Sequence, residues 1–162
     1  MENPYNPETG CCPRFDPQPW DNSQRTWQDK MFITGRVRCI AHIPLNFGQV
    51  IARMMTALAG ADALPAEPPI MLCDESSAWH TDIYLETAKE TPVWQTARLS
   101  GEFLTKVFEG PYREMKKFYN QMADYVKSKG RQPGKLYAYY AYCPKCAKHY
   151  GKNYIVMVAK VD

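Results

Sequence analysis

No apolar stretch in this 162-residue chain approaches the roughly 20 residues that a membrane-spanning helix needs. No basic run exceeds two or three residues, and a net charge of +3 is too small to point to nucleic acid. A helix-turn-helix appendage is also lacking, which argues against a self-contained transcription regulator. The opening MENPYNPETG has neither a basic n-region nor an apolar h-region, so no secretory leader is read and the cytoplasm is the expected compartment. Without an export signal, six cysteines favour free thiols, metal ligation or redox chemistry over a disulfide framework. What remains is ordinary: 45% hydrophobic and 23% charged residues suit a soluble globular protein. The length suits one domain, or two small halves sharing one core, as a monomer or homodimer.

Residues 1–30 contain Pro4, Pro7, Pro13, Pro17 and Pro19, a composition that opposes regular structure. Phe15, Trp20 and Trp27 are costly to leave in water, so the segment reads as an ordered arm packed on the domain. Residues 31–162 read as the domain itself. Met31 to Ile43 has the β-branched content of a strand, ended by Pro44. Asn46 and Gln49 suit a helix N-terminus, and Val50, Met54 and Leu58 recur at the spacing of one buried face, with Gly60 as the C-cap. Ile70 to Cys73 and Trp79 to Ala88 read as strands, with a turn from Asp74 to Ala78.

The same order then returns. Gln95 to Phe108 is a strand, and Gly110-Pro111 breaks it. Met115, Phe118, Met122 and Tyr125 mark a helix closed by Gly130, and Leu136 to Cys143 and Tyr154 to Val161 are strands. Gly35 and Gly101 are 66 residues apart, as are Ile70 and Leu136. An internal duplication follows, with halves 31–92 and 93–162. The expected fold is α+β: two tandem βαββ units forming a curved antiparallel sheet, both helices on one face and a concave ligand groove on the other.

Val107-Phe108-Glu109-Gly110-Pro111-Tyr112, a strand end running through Gly-Pro-Tyr into an amphipathic helix, together with the duplicated order, resembles the gyrase-inhibitor-like (GyrI-like) small-molecule-binding superfamily. The resemblance covers Met31 to Val161. It implies a groove for amphipathic or aromatic small molecules, and in some members hydrolysis of strained electrophiles by a groove carboxylate. The superfamily's groove glutamate lies on the last hairpin, where this chain has Asn153 and Tyr154. Its acidic counterpart is Asp82, in the matching strand of the first half, with Glu75 and Glu86 nearby. The cysteines and the arm fall outside the general pattern and mark a stand-alone subgroup sometimes labelled hydrolase-like.

Strand alternation places Trp79, Thr81, Ile83 and Leu85 on one face and His80, Asp82, Tyr84 and Glu86 on the other. The second set would face the groove, where Asp82 or Glu75 could activate water; a solvated polar strand face is the plainer reading. Trp79, His80, Tyr84, Tyr112, Tyr137 and Tyr139 are the candidate ligand contacts, and aromatic filling of a sheet is again the plainer alternative.

Cys11, Cys12, Cys143 and Cys146 could hold zinc, with His149 able to replace one thiolate. Against this, adjacent side chains such as Cys11 and Cys12 converge on one ion with difficulty. The cluster could instead be a redox dithiol, with Lys145 and Lys148 lowering a thiol pKa, although a C-x-x-C in a loop between strands disfavours that. A nucleophilic cysteine based by His149 or His42, or simple packing of the arm, completes the range. Cys39 and Cys73 read as core. The functional candidates are therefore a hydrolase of hydrophobic electrophiles, a non-catalytic binder, and a thiol protein.

Overall fold

The computed structural model describes residues 4–5 and 7–161. The chain divides into two compact units, Trp27–Ser100 and Met1–Thr26 with Gly101–Asp162. The strand pairings are antiparallel, and three α-helices occur among the described residues, so the class is α+β. None of these helices is long and apolar enough to cross a membrane.

In order, β1 is Ser23–Ile40, β2 Ile43–Pro44, α1 Phe47–Gly60, β3 Met71–Asp74 and β4 His80–Glu86. Strand β1 starts at Ser23, eight residues before Met31, because the last proline of the arm is Pro19 and Ser23 to Lys30 carries nothing that forbids a ladder. The strands β2-β1-β4-β3 are neighbours in that order. Helix α1 buries Val50, Met54 and Leu58 as its spacing requires. Its start differs from the expected capping box: the Asn46 side chain makes no cap bond and instead accepts from the Arg38 backbone N–H at 2.9 Å. At the other end Gly60 is the last helical residue and Ala61 the cap.

Gly35 is required by α1. A Cβ at that position would stand 2.7 Å from Met54 Sδ, so the helix lies directly on β1. Gly35 is paired with Ile83, and Val37 with Thr81, all on the face that α1 covers. The residues between them, Thr34, Arg36, Tyr84 and Asp82, therefore occupy the opposite face. Along β4 this alternation is explicit, with Thr81, Ile83 and Leu85 buried and their neighbours half-buried. Trp79, expected with the buried set, precedes the strand and is 67% exposed.

Strand β5 is Thr96–Glu109, and the second unit contains its part from Gly101 on, then a 3-10 turn at Tyr112–Glu114, α2 Met115–Ser128, β6 Leu136–Tyr140, α3 Pro144–Tyr150 and β7 Tyr154–Lys160. Its strands are ordered β6-β7-β5. Helix α2 buries Phe118, Met122 and Val126, with Val126 at the place anticipated for Tyr125. Phe118 stacks on Phe108, ring centroids 5.1 Å apart, so α2 covers the sheet face that carries Phe108 and its partner Ile155. Residues Ile155 to Ala159 are all buried, which requires cover on both sides of β7.

The second cover is the N-terminal segment. Thr105, paired with Val158 on the face away from α2, donates through Oγ1 to the Trp20 carbonyl at 2.6 Å. Asp21 Oδ1 accepts from the Val107 N–H at 3.0 Å. Phe15 and Trp20 meet the edge of Tyr139 with centroids 6.0 and 5.5 Å away, and Phe15 also leans on Tyr154. The arm is ordered because its half-buried aromatic rings pack on the sheet.

One expected loop is a helix. The turn chemistry read between β6 and β7 builds α3, with Pro144 at its first position and Gly151 in the left-handed conformation at its C-cap, φ +73°. This corrects the count of two helices to three among the described residues. It also places the C-x-x-C at a helix start, not within a loop.

Candidate functional site

In the Trp27–Ser100 unit, the sheet face away from α1 opens onto a cavity of about 470 Å³. Thr34, Gly35, Arg36, Asp82, Tyr84 and Gln95 are among its lining residues. Arg36 and Asp82 are directly paired across β1 and β4, and Arg36 Nε donates to Asp82 Oδ1 at 2.8 Å. His80 Nε2 lies 3.8 Å from Asp82 Oδ2. The guanidinium thus fixes one carboxylate oxygen while the other stands nearest the His80 imidazole. A carboxylate held this way can orient a water or a polar ligand group.

Of the predicted residues, Asp82, His80 and Tyr84 come together here. Glu75 sits in the turn after β3, outside the cavity lining, and Trp79 is exposed. Glu86 is occupied structurally, accepting from Lys30 Nζ at 2.7 Å and from the Ile70 N–H at 3.0 Å. Asp74 was missed. It is the last residue of β3, paired directly with Asp82 and only 6% exposed, and Oδ1 accepts from the Ser76 N–H at 3.1 Å. Extending the strand from Cys73 by one residue would have put this second carboxylate beside the first.

The other candidates belong to the second unit. Tyr137 is 3% exposed and Tyr139 is flanked by Phe15 and Trp20, on the face covered by the arm. Tyr112 Oη donates to the Tyr142 carbonyl at 2.6 Å. Burial, and then the thiols of Cys143, Cys12 and Cys146, push the Tyr112 phenol up to about 12, which keeps it a neutral donor.

Those thiols form the molecule's other chemical centre. The Sγ atoms of Cys11, Cys12, Cys143 and Cys146 all lie within 4.8 Å of one another. Cys11 and Cys12 do converge despite being adjacent, with Sγ atoms 3.7 Å apart, and Cys11 Sγ is 3.8 Å from Cys143 Sγ. Cys143 is the N-cap of α3 and Cys146 lies one turn in, fully buried. The Cys143 N–H donates to Cys12 Sγ at 3.4 Å, Thr9 Oγ1 is 3.1 Å from Cys146 Sγ, and Tyr150 Oη donates to the Cys12 carbonyl at 2.6 Å. His149 is not part of the group; its Nε2 is 3.9 Å from Glu8 Oε1 and its ring packs on Tyr150.

Burial raises the Cys11 and Cys12 thiols, Cys12 most strongly. Cys146 goes the other way. Its own desolvation is outweighed by bonds from Thr9, the Cys12 backbone and the neighbouring thiols, bringing it down to about 7. One sulfur is therefore ready to be a thiolate while Cys11 and Cys12 resist joining it, because burial and then the neighbouring sulfurs disfavour their charged forms. Cys39 and Cys73 are buried core residues, as expected.

Fold and site together define an α+β protein with a carboxylate-bearing cavity of small-molecule size and a separate four-thiol cluster. The sequence profile of a family described as bacterial hydrolase matches residues 2–161, and the chain belongs to that family. No curated protein matches it. Two solved structures from Listeria innocua are similar to it, one described as a hydrolase and one as an uncharacterized conserved protein. Each is 14% identical, covers 86% of this chain and 91% of its own, and superimposes with a TM-score of 0.61. At that identity the likeness concerns the fold.

Proposed function

We propose that this chain is a small-molecule hydrolase of the GyrI-like type, acting on a hydrophobic electrophile in the cavity of the Trp27–Ser100 unit. The observation that carries the reading is Asp82, clamped by Arg36 Nε at 2.8 Å on the wall of an open cavity. Asp82 is the base that orients and deprotonates the attacking water, and Tyr84 supports the bound ligand's ring or alkyl portion. Asp74, paired beside Asp82, places a second carboxyl next to that base. Family membership supports hydrolysis as the reaction class, and nothing in the cavity selects one electrophile. The element orders β1-β2-α1-β3-β4 and β5-α2-β6-α3-β7 support reading the two units as diverged βαββ copies.

The test is Asp82→Asn against a panel of aryl esters, lactones and strained three-membered-ring electrophiles, following product by mass spectrometry. Binding is followed in parallel by isothermal titration calorimetry. Turnover by the parent protein, lost in the variant with affinity kept, is the expected result. Binding with no turnover in either protein would make the chain a sequestering binder of the same ligands.

A further inference from the structure

We propose that Cys11, Cys12, Cys143 and Cys146 bind one zinc ion, and that this ion is a structural clasp joining the N-terminal segment to α3. The site goes beyond the hydrolase reading and does not depend on it. Four ligands about 2.3 Å from a common ion stand about 3.8 Å from each other in a tetrahedron. Two of the six sulfur–sulfur edges, Cys11–Cys12 at 3.7 Å and Cys11–Cys143 at 3.8 Å, have that value, and all six are within 4.8 Å. Four thiols drawn from residues 132 positions apart in sequence would not meet at this spacing through packing preference alone, because cysteine sulfur has no strong attraction for sulfur.

The surroundings suit a tetrathiolate. The Cys143 N–H points at Cys12 Sγ and the Thr9 hydroxyl reaches Cys146 Sγ, the kind of outer contacts that orient metal-bound sulfur. A dication also removes the mutual repulsion that four neighbouring thiolates would otherwise suffer. With four protein sulfurs the coordination is closed, leaving no position for water or substrate, so the ion's work is mechanical. A redox dithiol is a poorer fit. Cys146 is fully buried, and the other three thiols crowd with it into one set of four, not an attacking sulfur with a single resolving partner.

The experiment is elemental analysis of the full chain, purified anaerobically without chelator, followed by cobalt replacement. About one zinc per chain is expected, with thiolate-to-cobalt charge transfer and the intense visible bands of tetrahedral Co(II). Cys143→Ser should weaken zinc retention in chelator competition by more than roughly tenfold, and Thr9→Val by roughly 10- to 100-fold through the lost outer contact. Cys39→Ala, in the other unit, should leave zinc content unchanged. Parent protein that stays metal-free after zinc addition, disulfides among these four cysteines in the anaerobic preparation, or full zinc retention by Cys143→Ser would each overturn the proposal. Should Cys143→Ser not fold, the cobalt spectrum of the parent and the Thr9→Val competition decide.

Discussion

The two units treat the same kind of surface in opposite ways. Each has a helix on one sheet face, α1 over Gly35 and Ile83 in one and α2 over Phe108 and Ile155 in the other. In the unit that holds the N-terminus, the other face is filled by Phe15, Trp20 and Asp21. In the Trp27–Ser100 unit the other face carries Arg36, Asp82 and Tyr84, which line a cavity. A sheet face lined with Val156, Val158 and Tyr139 gains from being covered, whereas one lined with an ion pair and a phenol tolerates water. Covering one face and opening the other separates stability from ligand chemistry. The four-thiol cluster stands where the covering segment is anchored, and Asp82 stands on the wall of the open cavity.

That contrast can be broken at several points. The largest effect should come from stripping the proposed zinc. A ligand present at a thousand times its dissociation constant contributes about 4 kcal/mol of linkage, so chelator-treated protein should melt well below the untreated form by calorimetry. The arm should then become protease-sensitive around Cys11 to Phe15, while Trp27–Ser100 fragments persist; equal melting of both forms would remove the clasp. Next comes Asp82→Asn, expected to lower turnover roughly 10²- to 10⁴-fold, the range of a general base, with the melting temperature nearly unchanged.

A smaller loss, about 1–3 kcal/mol by denaturant titration, is expected from Gly35→Ala, since the added carbon would overpack against Met54 Sδ at 2.7 Å. It should also disturb the adjoining cavity wall, and ligand affinity should fall with it. The smallest effect belongs to Tyr150→Phe, which removes the hydrogen bond to the Cys12 carbonyl and should cost about 1 kcal/mol. Its zinc content should stay at the parent level, which distinguishes a prop of the arm from a ligand of the ion.

Much of the architecture was legible from local pattern. Val50, Met54 and Leu58 at helical spacing, and Thr81, Ile83 and Leu85 in alternation, report their buried faces directly because periodicity is a property of neighbouring residues. Helix α3 was equally legible in principle. Pro144 and Gly151 are its start and stop, yet in a seven-residue segment the same two residues also serve a turn, and a length below two helical turns gives periodicity nothing to repeat.

The sites divided differently. Asp82 and the C-x-x-C could be picked out by residue type and spacing, and so could the presence of two cysteine pairs. That Cys11 and Cys12 both turn their sulfurs toward Cys143, that Asp74 stands beside Asp82, and that the arm closes over Tyr139 while Arg36 faces an open cavity were decided only by tertiary structure. The sequence by itself determined which side chains lie on which face of each element, because the helical and strand repeats are local geometry. Which face is then covered, and by what, depends on contacts between residues more than a hundred positions apart, and no local pattern records them.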